Sequence, residues 1–371
     1  METFMRRALE LAAQARGRTS PNPMVGAVIV KAGEIVGEGY HHKAGTPHAE
    51  IHAINNAGTK AKDTQLYVTL EPCCHQGRTP PCTNAIIQAG VSSVVMAMYD
   101  PNPLVSGKGK AELETHGITV QSGLLEHEAR KLNEFYIKYI TSGLPFVILK
   151  SAMSLDGKIA TYTGKSKWIT SEASRRKVHE LRDAVDAILV GIGTVINDNP
   201  SLTTRLTDKE GKDAVRVVVD SKAQIPLTSR VLNLDSMAPT LVAVTQKAPE
   251  NKILQLQAAG AEVLVVPERN DGKVSLKALM EILGTRQITN VMIEGGSEIN
   301  ASALKEGIVD KVMIFIAPKF IGGKTAPGLV GGQGIEHLSN AIGLQDVQIS
   351  KIGEDILVEG YIRGAGIPAC A

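Results

Sequence analysis

The sequence predicts an α/β protein in two domains, and three observations predict it. The chain has 371 residues, long for a single core. Strand-like and helix-like stretches alternate along it, and the alternation restarts after Ser142-Gly143-Leu144-Pro145. Apolar residues make up 43% and aromatics only 4%, enough for two full cores built mainly from aliphatic side chains.

Met5, Ala8, Leu9 and Ala12 give Met1–Arg16 a helical apolar stripe. Thr19-Ser-Pro-Asn-Pro23 follows as a turn. Met24–Val30 and Glu34–Tyr40 flank Lys-Ala-Gly and read as a hairpin. Thr46-Pro47 resembles an N-cap with Pro at the first helical position, opening a helix His48–Asn56 that Gly58 ends. Gln65–Leu70, Ser93–Met98 and Ile118–Val120 read as strands, Thr83–Gln88 as a helix closed by Gly90, and Leu125–Ile140 as one helix. Beyond the linker, strands are expected at Phe146–Met153, Ala187–Val190, Val215–Asp220, Thr240–Thr245, Glu262–Val266, Asn290–Glu294 and Lys311–Ala317. Helices are expected at Ser171–Arg182 and Leu276–Leu283, and a final strand pair between Ile349 and Ile362. The expected domains are 1–144 and 145–364, with a frayed tail over 365–371.

A net charge of +2 argues against a nucleic-acid partner, which would call for a basic surface. Small acidic ligands need only a few local cations. Of the four cysteines, Cys73, Cys74 and Cys82 crowd together and Cys370 stands apart. Clustering of this kind suggests a metal in a reducing compartment rather than a disulfide framework. The N-terminus lacks the apolar core of a signal peptide, and no run approaches the roughly 20 apolar residues of a membrane helix. The expectation is a cytoplasmic protein without a membrane partner.

His48-Ala49-Glu50, Pro72-Cys73 and Pro80-Pro81-Cys82 carry the first chemistry. One imidazole and two thiols make three zinc ligands and leave a fourth position open for water. Helix starts and strand ends favour thiolate over thiol. A carboxylate two residues after the histidine can move protons while staying off the metal, the pattern of zinc deaminases. Alone, a His-x-Glu is mostly surface chemistry and a cysteine pair mostly buried packing; the order and flanking prolines argue otherwise. His52 lies at i,i+4 from His48, but metalloprotease helices place Glu directly after the first His, where Ala49 stands; packing is its simpler role. Cys74 and His75 compete as ligands on spacing alone. His41 and His42 fit a pocket wall and a solvated loop equally well.

These residues belong to longer stretches, Pro-Asn-Pro-Met-Val-Gly-Ala over 21–27, Tyr-Val-Thr-Leu-Glu-Pro-Cys-Cys-His-Gln-Gly-Arg-Thr-Pro-Pro-Cys over 67–82, and Asp-Pro-Asn-Pro over 100–103. With them the chain resembles the bifunctional deaminase/reductase family of bacterial riboflavin biosynthesis. Eight residues separate Cys73 from Cys82, where nucleoside and tRNA deaminases usually have two. The resemblance implies a cytidine-deaminase-like α/β/α layer domain, Zn²⁺ on His48, Cys73 and Cys82, Glu50 as catalytic proton shuttle, and Asn22 beside the substrate ring. The family often has Ser at the position of Cys74, which therefore is not expected to bind metal.

The second half lacks the Gly-x-Gly-x-x-Gly fingerprint of dinucleotide binding. Val291-Met-Ile-Glu-Gly-Gly-Ser297 runs from a strand through two glycines into a helix, and Val190-Gly-Ile-Gly-Thr194 offers a second close backbone approach to a phosphate. Either is more often a plain tight turn. Ser166, Arg182 and Arg205 are groups a sugar phosphate would engage, although Arg182 alone reads as the end of a solvated helix. Resemblance to the same family extends here and implies a dihydrofolate-reductase-like α/β domain using NADPH. It implies substrate contacts from Ser166, Arg182, Leu202, Arg205 and Glu294. Cofactor contacts would come from Ala152, Trp168, Thr194, Asp198, Ser221, and Gly296, Ser297, Glu298, Ile299, Asn300, Ala301 and Ser302. Lys150 and Asp156 are candidates for electrostatic help. The implied partners are pyrimidine ribose phosphates and, in a homo-oligomer, copies of the chain itself. The rival readings are a nucleic-acid deaminase, a non-catalytic NADPH-binding protein with structural zinc, and a deaminase with an inactive reductase half.

Overall fold

The computed structural model describes residues 1–75 and 80–364. The expected tail over 365–371, with Cys370, lies outside the described residues. Contacts divide the chain into two compact units that separate between Gly143 and Leu144.

The first unit comprises α1 (Glu2–Ala13), β1 (Gly26–Lys31), β2 (Glu34–Tyr40), α2 (Ala49–Ala57), β3 (Gln65–Val68), α3 (Cys82–Gln88), β4 (Ser93–Met96), α4 (Lys108–Thr115), β5 (Thr119–Ser122), α5 (Glu126–Leu132) and α6 (Glu134–Ser142). Its sheet runs β2-β1-β3-β4-β5, with β1 antiparallel to both neighbours and β3, β4 and β5 parallel. Two glycines show how the layers close. A Cβ on Gly26 would lie 2.0 Å from the Ala8 carbonyl oxygen of α1, and one on Gly39 would lie 2.4 Å from His52 Cβ of α2. Gly26 pairs with Tyr40, the residue after Gly39. Neighbouring strand residues face opposite ways, so α1 and α2 cover opposite faces. Met5, Ala8, Val28, Ile29, Leu66, Tyr67 and Val95 fill the core between the layers.

Two local expectations fail. Thr46 does not cap α2: its hydroxyl donates to the Lys43 carbonyl, and His48 occupies the N-cap. Leu125–Ile140 is two helices, because the buried Asn133 amide accepts from Met24 N–H at 2.8 Å and donates to the Met24 carbonyl at 2.9 Å. Bracketing a distant peptide in this way breaks the helical run.

The second unit comprises β6 (Phe146–Ser154), α7 (Glu172–Ala184), β7 (Ala187–Gly191), α8 (Ile192–Asp198), β8 (Val215–Val219), β9 (Thr240–Val244), α9 (Glu250–Ala258), β10 (Glu262–Val265), α10 (Leu276–Thr285), β11 (Asn290–Ile293), α11 (Ser297–Lys305), β12 (Lys311–Ala317), β13 (Leu344–Ile352) and β14 (Asp355–Ile362). The sheet order is β10-β9-β8-β7-β11-β6-β12-β14-β13. It is parallel from β10 to β12 and antiparallel beyond. The nearly continuous burial of β7, β9 and β11 reflects a parallel sheet covered on both faces. The last strand pair begins at Leu344, earlier than expected, because β13 is a mostly exposed edge strand without a buried apolar pattern. Helices α8 and α9 are short and were not anticipated.

Candidate active sites

In the first unit, His48 caps α2, Cys73 follows β3, and Cys82 opens α3. Their ligand atoms all lie within 4.8 Å of one another. His48 Nδ1 is 3.2 Å from Cys82 Sγ and 3.5 Å from Cys73 Sγ. Tetrahedral zinc with ordinary Zn–N and Zn–S bonds places such atoms about 3.5 Å apart, so the donor set fits the metal. The hydrogen bond from Cys82, followed by that from His48, holds the Cys73 thiol well below its usual range against the effect of burial; the same pairing raises Cys82. One thiolate is thus already favoured, the form that binds metal. Cys74 and His75 are not in the ligand group.

Glu50 lies in the first turn of α2, buried, and its Oε2 has no hydrogen-bond partner among the described residues. Burial, then the neighbouring Cys73, pushes its carboxyl up to about 7. A carboxyl near that value both takes and returns protons at neutral pH. Asn22 stands in the turn after α1, its amide nitrogen 3.1 Å from His41 Nε2. The other ring nitrogen of His41 donates to the Pro47 carbonyl at 3.2 Å, so Nε2 is an acceptor and Asn22 the donor. Burial lowers His41, which keeps it neutral. Its ring meets His48 edge-on at 5.2 Å. His41 therefore belongs to the site, a point its sequence position left open. Glu71 was missed altogether: its buried carboxylate accepts from Gly107 N–H and Lys110 N–H, each at 3.0 Å, and fastens the chain just before Cys73. The only sequence signal was its place in Glu71-Pro72-Cys73.

In the second unit, Glu294 at the end of β11 receives Arg182 Nε at 2.7 Å, Arg182 NH2 at 2.9 Å and Lys150 Nζ at 3.2 Å. Burial opposes its ionisation, but the two cations outweigh burial and hold the carboxyl far below its usual range. Arg182 also donates to the Thr203 carbonyl at 2.9 Å, which shapes the segment carrying buried Leu202 and exposed Arg205. Arg205 N–H donates to His179 Nδ1 at 3.1 Å. His179 is held down to about 4 by burial first, then by Arg182 and Arg205, and so stays neutral. It too was missed, although His179 and Arg182 share one face of α7 at i,i+3. Ser166 donates to Asp198 at 3.1 Å, which joins an expected substrate contact to an expected cofactor contact. Trp168 is exposed, with the Arg175 guanidinium 4.6 Å from its ring centre.

At the carboxyl ends of β7 and β8 lies a cavity of about 340 Å³, the position where open α/β sheets bind ligands. Ser221, Glu298, Ile299 and Ser302 line it, together with Gly191 and Gly193. Ala152, Thr194, Gly296, Ser297, Asn300 and Ala301 are not in its lining. Asn300 is buried; its amide nitrogen donates to the Leu329 carbonyl and its Oδ1 has no partner among the described residues. Helix α11 opens after Gly295-Gly296 with no side-chain cap, which leaves its start to a phosphate. These features fit a dinucleotide.

A family model for the cytidine and deoxycytidylate deaminase zinc-binding region matches residues 1–98, and one for the RibD C-terminal domain matches residues 145–358. A riboflavin biosynthesis protein RibD from Aquifex aeolicus is 47% identical over 96% of this chain and 97% of its own length. The chain belongs to the RibD family. RibD from Escherichia coli is 41% identical over 96% of this chain and 97% of its own. The structure of Acinetobacter baumannii RibD superimposes with a TM-score of 0.87 at 36% identity, covering 97% of this chain and 98% of that one. A diaminohydroxyphosphoribosylaminopyrimidine deaminase/5-amino-6-(5-phosphoribosylamino)uracil reductase from Thermotoga maritima gives 0.84 at 40% identity, with 97% and 98% covered. As a RibD family member the chain is an enzyme of riboflavin biosynthesis, a zinc deaminase joined to an NADPH-dependent reductase. Among the described residues no helix is long and apolar enough to cross a membrane.

Proposed function

We propose that residues 1–144 carry the deamination and residues 145–364 the reduction, each at the site described above. The first reaction hydrolyses the C2 amino group of 2,5-diamino-6-ribosylamino-4(3H)-pyrimidinone 5′-phosphate. The second reduces the ribosyl group of 5-amino-6-ribosylaminouracil 5′-phosphate to ribityl. The observation that carries the reading is the His48–Cys73–Cys82 cluster beside a buried carboxylate with an uncommitted oxygen.

Zinc held by the three ligands would supply a Lewis acid that makes water nucleophilic at neutral pH. Glu50 would take a proton at Oε2 as the water oxygen bonds to C2 and deliver it to the amine as the C2–N bond breaks and ammonia leaves. The proton of the hydroxyl left on C2 ends on the ring nitrogen as the carbonyl forms. Asn22, oriented by neutral His41, keeps its remaining amide groups for the pyrimidine ring. Removal of the metal by a chelator is expected to abolish ammonia release and leave NADPH binding intact, with activity restored by about one equivalent of zinc. Full deamination by metal-free protein would overturn the assignment.

Bound NADPH would supply the hydride for the second reaction, to C1′ of the ring-opened imine, whose nitrogen carries the accompanying proton. The chain provides orientation and charge. Exposed Arg205 takes the substrate phosphate, while Arg182, Lys150 and Glu294 form a fixed, buried charge cluster beneath it. Arg205→Ala is expected to raise the reductase KM roughly ten- to hundredfold, the worth of a charged hydrogen bond, without changing ammonia release. An unchanged KM would place Arg205 outside the substrate site. Assembly as a homo-oligomer in the cytoplasm belongs to the same reading and is supported by the family resemblance alone.

A further inference from the structure

We propose that Lys222 recognises the 2′-phosphate of NADPH and thereby sets the preference for NADPH over NADH. The inference rests on the reading of the second unit as a nicotinamide-dependent reductase.

Strands β6, β11, β7 and β8 lie side by side, and Lys150 and Glu294 mark the reacting end on the first two. Three strand spacings, about 14 Å, separate β6 from β8. A dinucleotide whose nicotinamide lies at β6 and β11 and whose phosphates meet the start of α11 therefore brings its adenosine to the end of β8. There the chain reads Val219-Asp220-Ser221-Lys222.

An acidic residue in such a place marks an NAD site when it bonds the ribose 2′-hydroxyl. Asp220 belongs to the cavity lining, but it is fully buried and engaged with its own turn: its Oδ2 accepts from Ile225 N–H at 2.7 Å, and its Oδ1, buried as well, has no partner among the described residues. The turn closes through Ala223 N–H to the Asp220 carbonyl at 3.1 Å, with Ala223 at φ +53°. The Ser221 carbonyl accepts from Thr245 N–H at 3.2 Å and from the Thr245 hydroxyl at 2.9 Å. Ser221 Oγ accepts from Val274 N–H at 3.0 Å, which leaves its own proton to donate. Lys222 is thus held by a fixed backbone at the cavity wall with its side chain exposed.

The other two cations lining the cavity each have a carboxylate within 4.0 Å. Arg269 bonds Asp271 at 2.6 Å and Glu306 at 2.9 Å. Lys273 lies 3.8 Å from Glu298. Lys222 is the one lining cation with no carboxylate within 4.0 Å among the described residues. A phosphate dianion at the adenosine ribose would supply the missing counter-charge, with the Ser221 hydroxyl as second donor.

The test is calorimetric titration of the full-length chain and of Lys222→Ala, Lys222→Arg and Lys273→Ala with NADPH, NADH, 2′,5′-ADP and 5′-AMP. Lys222→Ala is expected to weaken NADPH and 2′,5′-ADP at least about tenfold, leave NADH and 5′-AMP within twofold, and keep the wild-type melting temperature; Lys222→Arg is expected to restore most of the loss. Equal weakening of NADPH and NADH, no weakening, or a selective loss in Lys273→Ala alone would each overturn the proposal. Failure of the wild-type chain to bind NADPH would instead remove the cofactor reading beneath it.

Discussion

Glu50→Gln is expected to lower ammonia release by at least about 10²–10⁴-fold, the usual contribution of a general acid–base group, while zinc content and NADPH oxidation with the deaminated intermediate stay at wild-type levels. The amide keeps the size and shape of the carboxyl, so the wall of the site and the start of α2 remain filled. It cannot accept a proton at Oε2, the atom the fold leaves without a partner. Glu50 is buried, and an ionisable group in that position opposes folding rather than helping it. The melting temperature of Glu50→Gln should therefore equal or exceed that of the wild type, as when a strained active-site group is removed. Assayed together, ammonia release, metal content and thermal melting separate the two roles open to this residue. A variant that still deaminates, or one that loses zinc along with activity, would take the proton-shuttle role away from Glu50.

This site was legible in the sequence because its parts are close together and of distinctive type. The histidine, two cysteines and carboxylate of the site fall within residues 48–82, three of them at helix starts and Cys73 in the loop that follows β3. His41 was ambiguous because a histidine in a turn looks alike whether it is solvated or pressed against a ligand. The break between α5 and α6 was hidden because Asn133 acts on Met24, 109 residues away, and no local pattern carries that information. The second half is harder for the same reason. Arg182 and Glu294 are 112 residues apart in sequence, and only the sheet order brings them into one ion pair. His179 and Lys222 look like ordinary polar residues of a helix and a turn. Ser166 and Asp198 were assigned to substrate and cofactor separately, and the fold ties them to each other. Motif reading therefore suits chemistry built from one segment, while a charge cluster assembled across a parallel sheet emerges only from the topology.

Glu294→Gln is the corresponding test for that cluster and is expected to abolish NADPH oxidation and destabilise the chain by about 3–5 kcal/mol, the cost of removing one partner from a buried ion pair. Arg182 and Lys150, each with only 12% of its side chain exposed, would keep two positive charges with no carboxylate between them. The pH dependence has a definite sign. The folded chain holds the Glu294 carboxyl below its unfolded value, so its stabilisation is complete above about pH 4.5 and is lost as the pH falls toward the folded value. The gap in stability between wild type and Glu294→Gln should accordingly be widest at neutral pH and narrow below about pH 4.5. His179 acts earlier on the same descent. Its folded value of about 4 lies below the 6.5 of a free imidazole, so the unfolded chain binds the extra proton first and stability declines between those values. The low-pH loss, measured by urea unfolding at fixed pH steps, should be smaller in Glu294→Gln than in wild type but not absent, because Asp156, Glu38, Glu262 and Asp271 are also held below their usual range. A variant as stable as wild type at pH 7, with reductase activity intact, would mean that Arg182 and Lys150 find another counter-charge, and the cluster would no longer explain how the substrate is held.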